Sequence, residues 1–247
     1  MKNAEVVRDW YRRSYSGRRA HRQDELNPEV WLQRQADEFA LRRAIYRTGL
    51  EPTTATTLDI GCGGGVSLLQ VASLGFALDN LVGIDILEER AALARARLPG
   101  ARIVCGDARA LPWSEPSFDL VTALMTLVPI VDRQVRADIA SEMLRVTKPG
   151  GYLIVADWLY NRPGSREYRA LTLNDIRRMF RVGEATVLLA RYPGALIPPI
   201  GRFLSARSLP ALYFLLQQLF PPAVGQMTVV LRRVAGIAAP QGAWEGG

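Results

Sequence analysis

At 247 residues, 49% of them apolar and 22% charged, the chain has the size and balance of one large α/β domain, or one domain with a lid, which excludes a disordered or low-complexity protein. Two cysteines, Cys62 and Cys105, are too few for a disulfide framework and read as small-residue sites in a reducing compartment, the cytoplasm by default. The net charge of +7 rests on arginine, since Lys2 and Lys148 are the only lysines; the plain reading is solvated helix faces, the alternative a contact with phosphate, an anionic membrane or an acidic substrate.

The first ten residues lack the apolar run of a signal peptide, and Arg8, Arg12, Arg13, Arg18, Arg19 and Arg22 cluster soon after. Residues 1–50 read as a helical, aromatic-rich lid segment with Trp10, Tyr11, Tyr15, Trp31, Phe39 and Tyr46. From Asn27-Pro28 onward, Val30, Leu32, Ala36, Phe39, Ala40 and Ile45 recur at near-helical spacing. Glu51-Pro52 and a run of threonines end that pattern.

Between Thr57 and Asp157 strands and helices alternate, as in a parallel sheet covered on both faces. Strands are predicted at Leu58–Gly61, Leu81–Ile86, Arg102–Cys105, Phe118–Thr122 and Tyr152–Ala156. Helices fall between them at Val66–Ser73, Leu87–Leu98 and Arg133–Val146, the last stopped by Lys148-Pro149-Gly150-Gly151. Thr172 caps a short helix through Phe180, and Thr186–Ala190 and Met227–Leu231 read as two further strands. Arg191 to Gln226 is too apolar for a linker and too broken by proline for one helix, and reads as an insertion or lid. Within it, Leu209 to Phe220 is interrupted by Pro210, Gln217 and Gln218 and falls short of the ~20 residues of a spanning helix. Residues 51–236 therefore form the main domain, and 237–247 a frayed tail.

The chemistry concentrates at three strand ends. Gly61, Gly63 and Gly65 join a buried strand to a helix, where only residues without side chains let backbone approach a ligand and let helix-start amides hold a carboxylate. A dinucleotide fingerprint would place its third glycine at position 66, where Val66 stands. Asp59 can order this loop or meet a ligand's amino group. Asp85 ends the second strand, where a carboxylate can accept from both hydroxyls of a ribose or cap the following helix. Asp107 ends the third, where it can accept from an exocyclic amine or form an Asx turn. Together they outline a nucleoside pocket along one sheet edge.

The series Leu58 to Gly65, Val82-Gly83-Ile84-Asp85, Gly106-Asp107-Ala108, Leu111-Pro112, Phe118-Asp119-Leu120-Val121 and Leu144 to Gly151 resembles class I methyltransferases, and within them the type 11 family with its ubiquinone- and menaquinone-pathway enzymes. The resemblance covers about residues 55 to 157. It implies a Rossmann-like, doubly wound, mostly parallel seven-stranded sheet, with one antiparallel strand completed by Met227–Leu231, a helical N-terminal segment and an insertion before the last strand. It implies S-adenosyl-L-methionine as cofactor, with Asp59, Gly61, Cys62 and Gly63 around its methionine portion. Asp85 and Ile86 would hold the ribose and flank adenine, Asp107 and Ala108 would contact adenine, and Ala123, just past the fourth strand, would line the methionine end.

The acceptor side is less defined, because Leu124-Met125-Thr126 stands where the family often carries an aromatic residue or histidine. His21 and Asp157 are candidate bases, each with a plainer structural explanation, and no catalytic residue is assigned. One histidine and two separated cysteines give no metal spacing. The leading expectation is methyl transfer to a small-molecule acceptor such as a lipid, quinone, glycan or specialised metabolite. Nucleic-acid methylation and a non-catalytic cofactor-binding scaffold are the alternatives, the former lacking the Pro-Pro-aromatic and Pro-Cys signatures of base methylation. Peripheral membrane contact or a homodimer surface is the expectation attached to the apolar insertion.

Overall fold

The computed structural model describes residues 27–161, 164 and 168–235. Its strands are β1 (Thr57–Ile60), β2 (Leu81–Asp85), β3 (Arg102–Cys105), β4 (Phe118–Leu124), β5 (Thr147–Trp158), β6 (Thr186–Pro193) and β7 (Gln226–Arg233). They form one seven-stranded sheet in the order β3-β2-β1-β4-β5-β7-β6. β1 to β5 run parallel, and β7 lies antiparallel to both β5 and β6. The mostly parallel seven-stranded sheet with one antiparallel strand is thus the one expected.

Helices cover both faces, and the strand period of two decides which residue meets which layer. Val121, Leu153, Val155 and Val229 pack with Ile139, Ala140, Met143 and Leu144 of α4 (Arg133–Val146) and with Ile176 of α5 (Leu173–Met179). Their neighbours Leu120, Ile154 and Val230 point the other way, onto α1 (Trp31–Thr48), α2 (Val66–Ala72) and α3 (Glu88–Arg97). α4 begins where the Asp132 side chain accepts the Gln134 and Val135 amides at 2.8 and 3.3 Å, and α5 begins in a capping box between Thr172 and Asp175.

Three boundaries differ from the sequence expectation. β5 starts at Thr147, because Thr147 pairs with Phe118 and Tyr152 with Leu120, so the Lys148–Gly151 turn bulges out of a strand already begun. β4 runs on to Leu124, which puts Ala123 inside it. β6 extends to Pro193, so the insertion starts at Gly194 and comprises α6 (Pro198–Ala206), α7 (Pro210–Leu219) and a 3-10 turn at Pro221–Ala223, each opened by proline.

α1 buries Leu32, Ala36 and Ala40, then turns its buried stripe onto Leu41, Ala44, Ile45 and Thr48. Phe39, expected in that stripe, falls outside it and is 57% exposed, with the Arg43 guanidinium 5.8 Å from its ring. Leu32 and Ala36 join Leu196, Leu204, Tyr213 and Val224, so α1 also anchors the insertion. Trp10, Tyr11, Tyr15, His21, the arginines from Arg8 to Arg22 and the tail 237–247 lie outside the described residues. None of the described helices is long and apolar enough to cross a membrane.

The segment after β4 is held from below by a buried arginine. Arg136 of α4 donates to the carbonyls of Ile130 (2.5 Å), Val128 (3.2 Å), Ala170 (3.2 Å) and Arg169 (2.5 Å). Burial pulls its basicity down, yet four carbonyls satisfy the guanidinium. Arg136→Ala should therefore destabilise the fold by roughly 3–5 kcal/mol, because buried carbonyls lose their donors; urea denaturation measures the change.

Candidate active site

The loop between β1 and α2 is shaped by glycine. Gly61, Gly63 and Gly65 have φ of 66°, 53° and 81°, in the left-handed region that disfavours side chains. The amides of Gly61 and Cys62 donate to the Ile84 carbonyl at 2.8 and 3.0 Å, which closes the loop over the end of β2. A Cβ at Gly61 would collide with the Thr126 side chain, and one at Gly63 would stand 2.9 Å from the Arg90 guanidinium. Cys62 is buried, and its sulfur faces Gly83 within β2, so only its backbone is on the loop's surface side of the turn. Burial, with Asp59 and Asp85 nearby, pushes its thiol well up.

Asp59 is buried beneath this loop and accepts from Ser67 of α2 and, at 2.6 Å, from Thr122 of β4. Of its two expected roles, these bonds show the ordering one. Desolvation raises its carboxyl to about 6, against the opposing Ser67 and Thr122 bonds.

Asp85 is buried at the end of β2. One of its oxygens accepts the Gly63 amide at 2.9 Å, and the other accepts the Leu87 amide at 2.9 Å. It is thus a brace between two loops as well as a candidate ligand: each carboxylate oxygen carries a second lone pair, enough for two hydroxyl donors. Burial raises its carboxyl, with the Leu87 and Gly63 amides and Arg90 pulling the other way. Ile86 beside it is half-buried.

Asp107 forms the Asx turn, accepting the Arg109 amide at 2.9 Å, and pairs with the Arg109 guanidinium at 2.6 Å. That pairing holds its carboxyl below the usual range. Ala108 packs half-buried against the α4-side core. Ala123 requires a correction: it lies within β4, fully buried in that same core, because the strand is two residues longer than expected. The surface past β4 belongs to Met125, with φ 58° and 43% exposure, and to Thr126, whose hydroxyl donates to the Ile60 carbonyl at 2.9 Å.

Asp157 accepts the Leu127 and Val128 amides, both at 2.9 Å, and the Trp158 amide at 3.1 Å. Desolvation raises it to about 7 in spite of these bonds. Its oxygens are spent on backbone, which makes it an anchor of the loop after β4 and not a free base. Two residues that sequence reasoning passed over stand at the glycine loop: Arg90 beside Gly63, and Arg97, which donates to the Gly64 carbonyl. Their seven-residue spacing on α3 sets them on one helix face, a signal present but unread.

The loop thus offers a glycine turn whose backbone nothing but small atoms can approach, helix-start amides, and a two-oxygen acceptor tied to it by Gly63. This donor and acceptor set fits an amino acid attached to a nucleoside. On the same C-terminal edge, beyond β6, lies a cavity of about 370 Å³ lined by Phe39, Arg43, Tyr192, Pro193, Phe214 and Gln217. Among the described residues no cluster of His, Cys, Asp and Glu is arranged to hold a metal.

Comparison with known proteins agrees with this arrangement. Residues 58–155 match the family model described as a methyltransferase domain. The chain is 37% identical over 127 residues to a 2-methyl-6-phytyl-1,4-hydroquinone methyltransferase of Synechocystis sp., covering 50% of this chain and 36% of that protein. It is 39% identical over 124 residues to a demethylmenaquinone methyltransferase of Beutenbergia cavernae, covering 49% and 48%. The chain therefore spans about a third to a half of the length of these curated relatives. Among solved structures, a SAM-dependent methyltransferase from Methanosarcina mazei superposes with TM-score 0.55 at 20% identity, over 77% of this chain and 97% of that one. The 4+2 cyclase SpnF superposes with TM-score 0.59 at 21% identity, over 81% of each chain. At such identities the structures show a shared fold.

The buried carboxylates set the response to pH. Asp59, at about 6, and Asp157, at about 7, are raised by desolvation, so the folded state binds their protons more tightly than the unfolded chain. Stability should then fall as pH rises from about 4 to about 7 and level off above. Asp59→Asn, whose amide can still meet the Ser67 and Thr122 hydroxyls, should remove its part of that slope, roughly 3 kcal/mol between pH 4 and 6. Thermal melts of both proteins across that range check the sign.

Proposed function

We propose that this chain, whose residues 58–155 form a class I methyltransferase domain of the type 11 family, transfers a methyl group from S-adenosyl-L-methionine to a small apolar acceptor. The observation that carries the reading is the bond from the Gly63 amide to Asp85, which fixes a glycine turn and a paired acceptor at one sheet edge. In this reading the loop backbone from Gly61 to Gly65 holds the methionine part, and Asp85 with Ile86 holds the ribose. Asp107 and Ala108 border adenine.

S-adenosyl-L-methionine supplies an electrophilic methyl on a sulfonium, ready for in-line displacement by an acceptor's electron pair. The protein's share is to hold the acceptor on the far side of that methyl and to exclude water. In this reading Met125 and Thr126, which lie between Gly61 and the Asp157 anchor, border the reacting end. An acceptor already ionised or rich in electrons, such as a hydroquinone, needs no buried base, which suits a site where Asp157 is engaged by backbone.

The apolar character of the acceptor draws on the quinone-type names of the two similar proteins. Both cysteines are free, with Cys105 exposed, which supports a reducing compartment, the cytoplasm, in the same reading.

Asp85→Ala should weaken binding of S-adenosylhomocysteine about tenfold to a hundredfold, the loss of charged acceptors worth roughly 1.5–3 kcal/mol. Gly63→Val should abolish it, since a branched side chain must enter a left-handed turn against Arg90. Calorimetry reads both, and unchanged affinity in either variant contradicts the placement. For the acceptor, radiolabel from the methyl donor should move into the organic phase with demethylated hydroquinones. Tight donor binding with no transfer to hydroquinone or phenol acceptors would overturn the acceptor class and leave the donor site standing.

A further inference from the structure

We propose that the outer face of α6 and α7 docks on an anionic lipid bilayer. An ordinary surface helix turns its apolar stripe inward. α7 packs only Phe214 and Leu216 of its apolar side chains half-buried on the core of the insertion and leaves the rest outside. Its buried side carries Tyr213 and Gln217, the phenol accepting the Leu196 amide at 3.0 Å and the glutamine donating to the carbonyls of Pro193 and Gly194 at 3.2 and 2.6 Å. Its leucines at 212, 215 and 219, spaced as one helix face, are 44%, 51% and 71% exposed. Leu209 and Phe220 extend this face at either end, and Phe203 of α6 is 54% exposed. Single exposed leucines are ordinary; a helix face of them, with Tyr213 and Gln217 turned inward and Gln218 alone of its polar residues outside, is not.

Charge selects the occupant. Between β6 and β7 the only charged residues are Arg202 and Arg207, and no acid is present. The Arg207 guanidinium lies 4.2 Å over the exposed Phe203 ring, so cation and apolar surface are presented together. Pro28 and Leu32 are both hydrogen bonded to Ser205 of α6, which sets the start of α1 against that helix. A second copy of the chain would set cations against cations. An anionic bilayer takes up the leucines and neutralises the arginines at once.

The proposal goes beyond the methyl-transfer reading and does not depend on it. α6 and α7 follow the C-terminal end of β6, on the sheet edge that carries the glycine loop, so a bilayer here would lie beside the edge where an apolar acceptor must arrive.

Sedimentation of the full chain with vesicles tests it, one set of phosphatidylcholine and one of phosphatidylcholine mixed with phosphatidylglycerol. The chain should pellet with the mixed vesicles, less so as salt is raised, and poorly with phosphatidylcholine alone. Leu215→Glu combined with Leu219→Glu should weaken this binding about tenfold or more, while Val187→Glu, an exposed position on β6, leaves it unchanged. Affinity for S-adenosylhomocysteine should be the same in all three proteins, which separates loss of docking from loss of the donor site. Failure to bind either vesicle, or binding indifferent to the leucine substitutions, overturns the proposal. So does a dimer that those substitutions dissolve without any vesicle binding.

Discussion

The candidate site depends on one buried carboxylate shared between two backbone amides. Asp85, at the end of β2, holds Gly63 with one oxygen and Leu87 with the other, at 2.9 Å each. Together with the Gly61 and Cys62 amides on the Ile84 carbonyl, it fixes the left-handed glycine turn against the neighbouring strand end. Burial makes the charge costly, and the amides with Arg90 offset part of that cost. Each oxygen accepts one amide and keeps a second lone pair that neither amide uses.

Asp59 and Asp157 repeat the device on other strands. Asp59 ties β1 to α2 and β4 through two hydroxyls, and Asp157 ties β5 to the loop after β4 through two amides. Arg136 completes the second tie from the helix layer, holding four carbonyls around the same segment. The candidate edge is therefore a set of loops pinned by buried ionisable groups. Such pinning suits a site whose work is to hold two reactants in line.

Much of this was legible in the residues. Strand ends with Asp59, Asp85 and Asp107, the glycine turn and the long α4 follow from alternation and capping chemistry that act locally. Ala123 was misplaced because the end of β4 is set by pairing with β5 as far as Ala156, a tertiary fact. Phe39 was misplaced because α1 serves two partners, the sheet and the insertion, and its buried stripe turns midway. Arg90 and Arg97 looked like solvated charges, since nothing in α3 alone says which face meets the glycine loop. The outward leucines of α7 were unreadable for the same reason: Gln217 turns inward where its amide meets the Pro193 and Gly194 carbonyls at the end of β6.

Amide hydrogen exchange with and without S-adenosylhomocysteine tests the central claim most directly, because it reports where along the chain the nucleoside sits. The account predicts added protection at residues 61–67, 85–87 and 107–108, with β6 and β7 unaffected. Protection confined to the insertion, or none at the glycine loop despite binding, would contradict it.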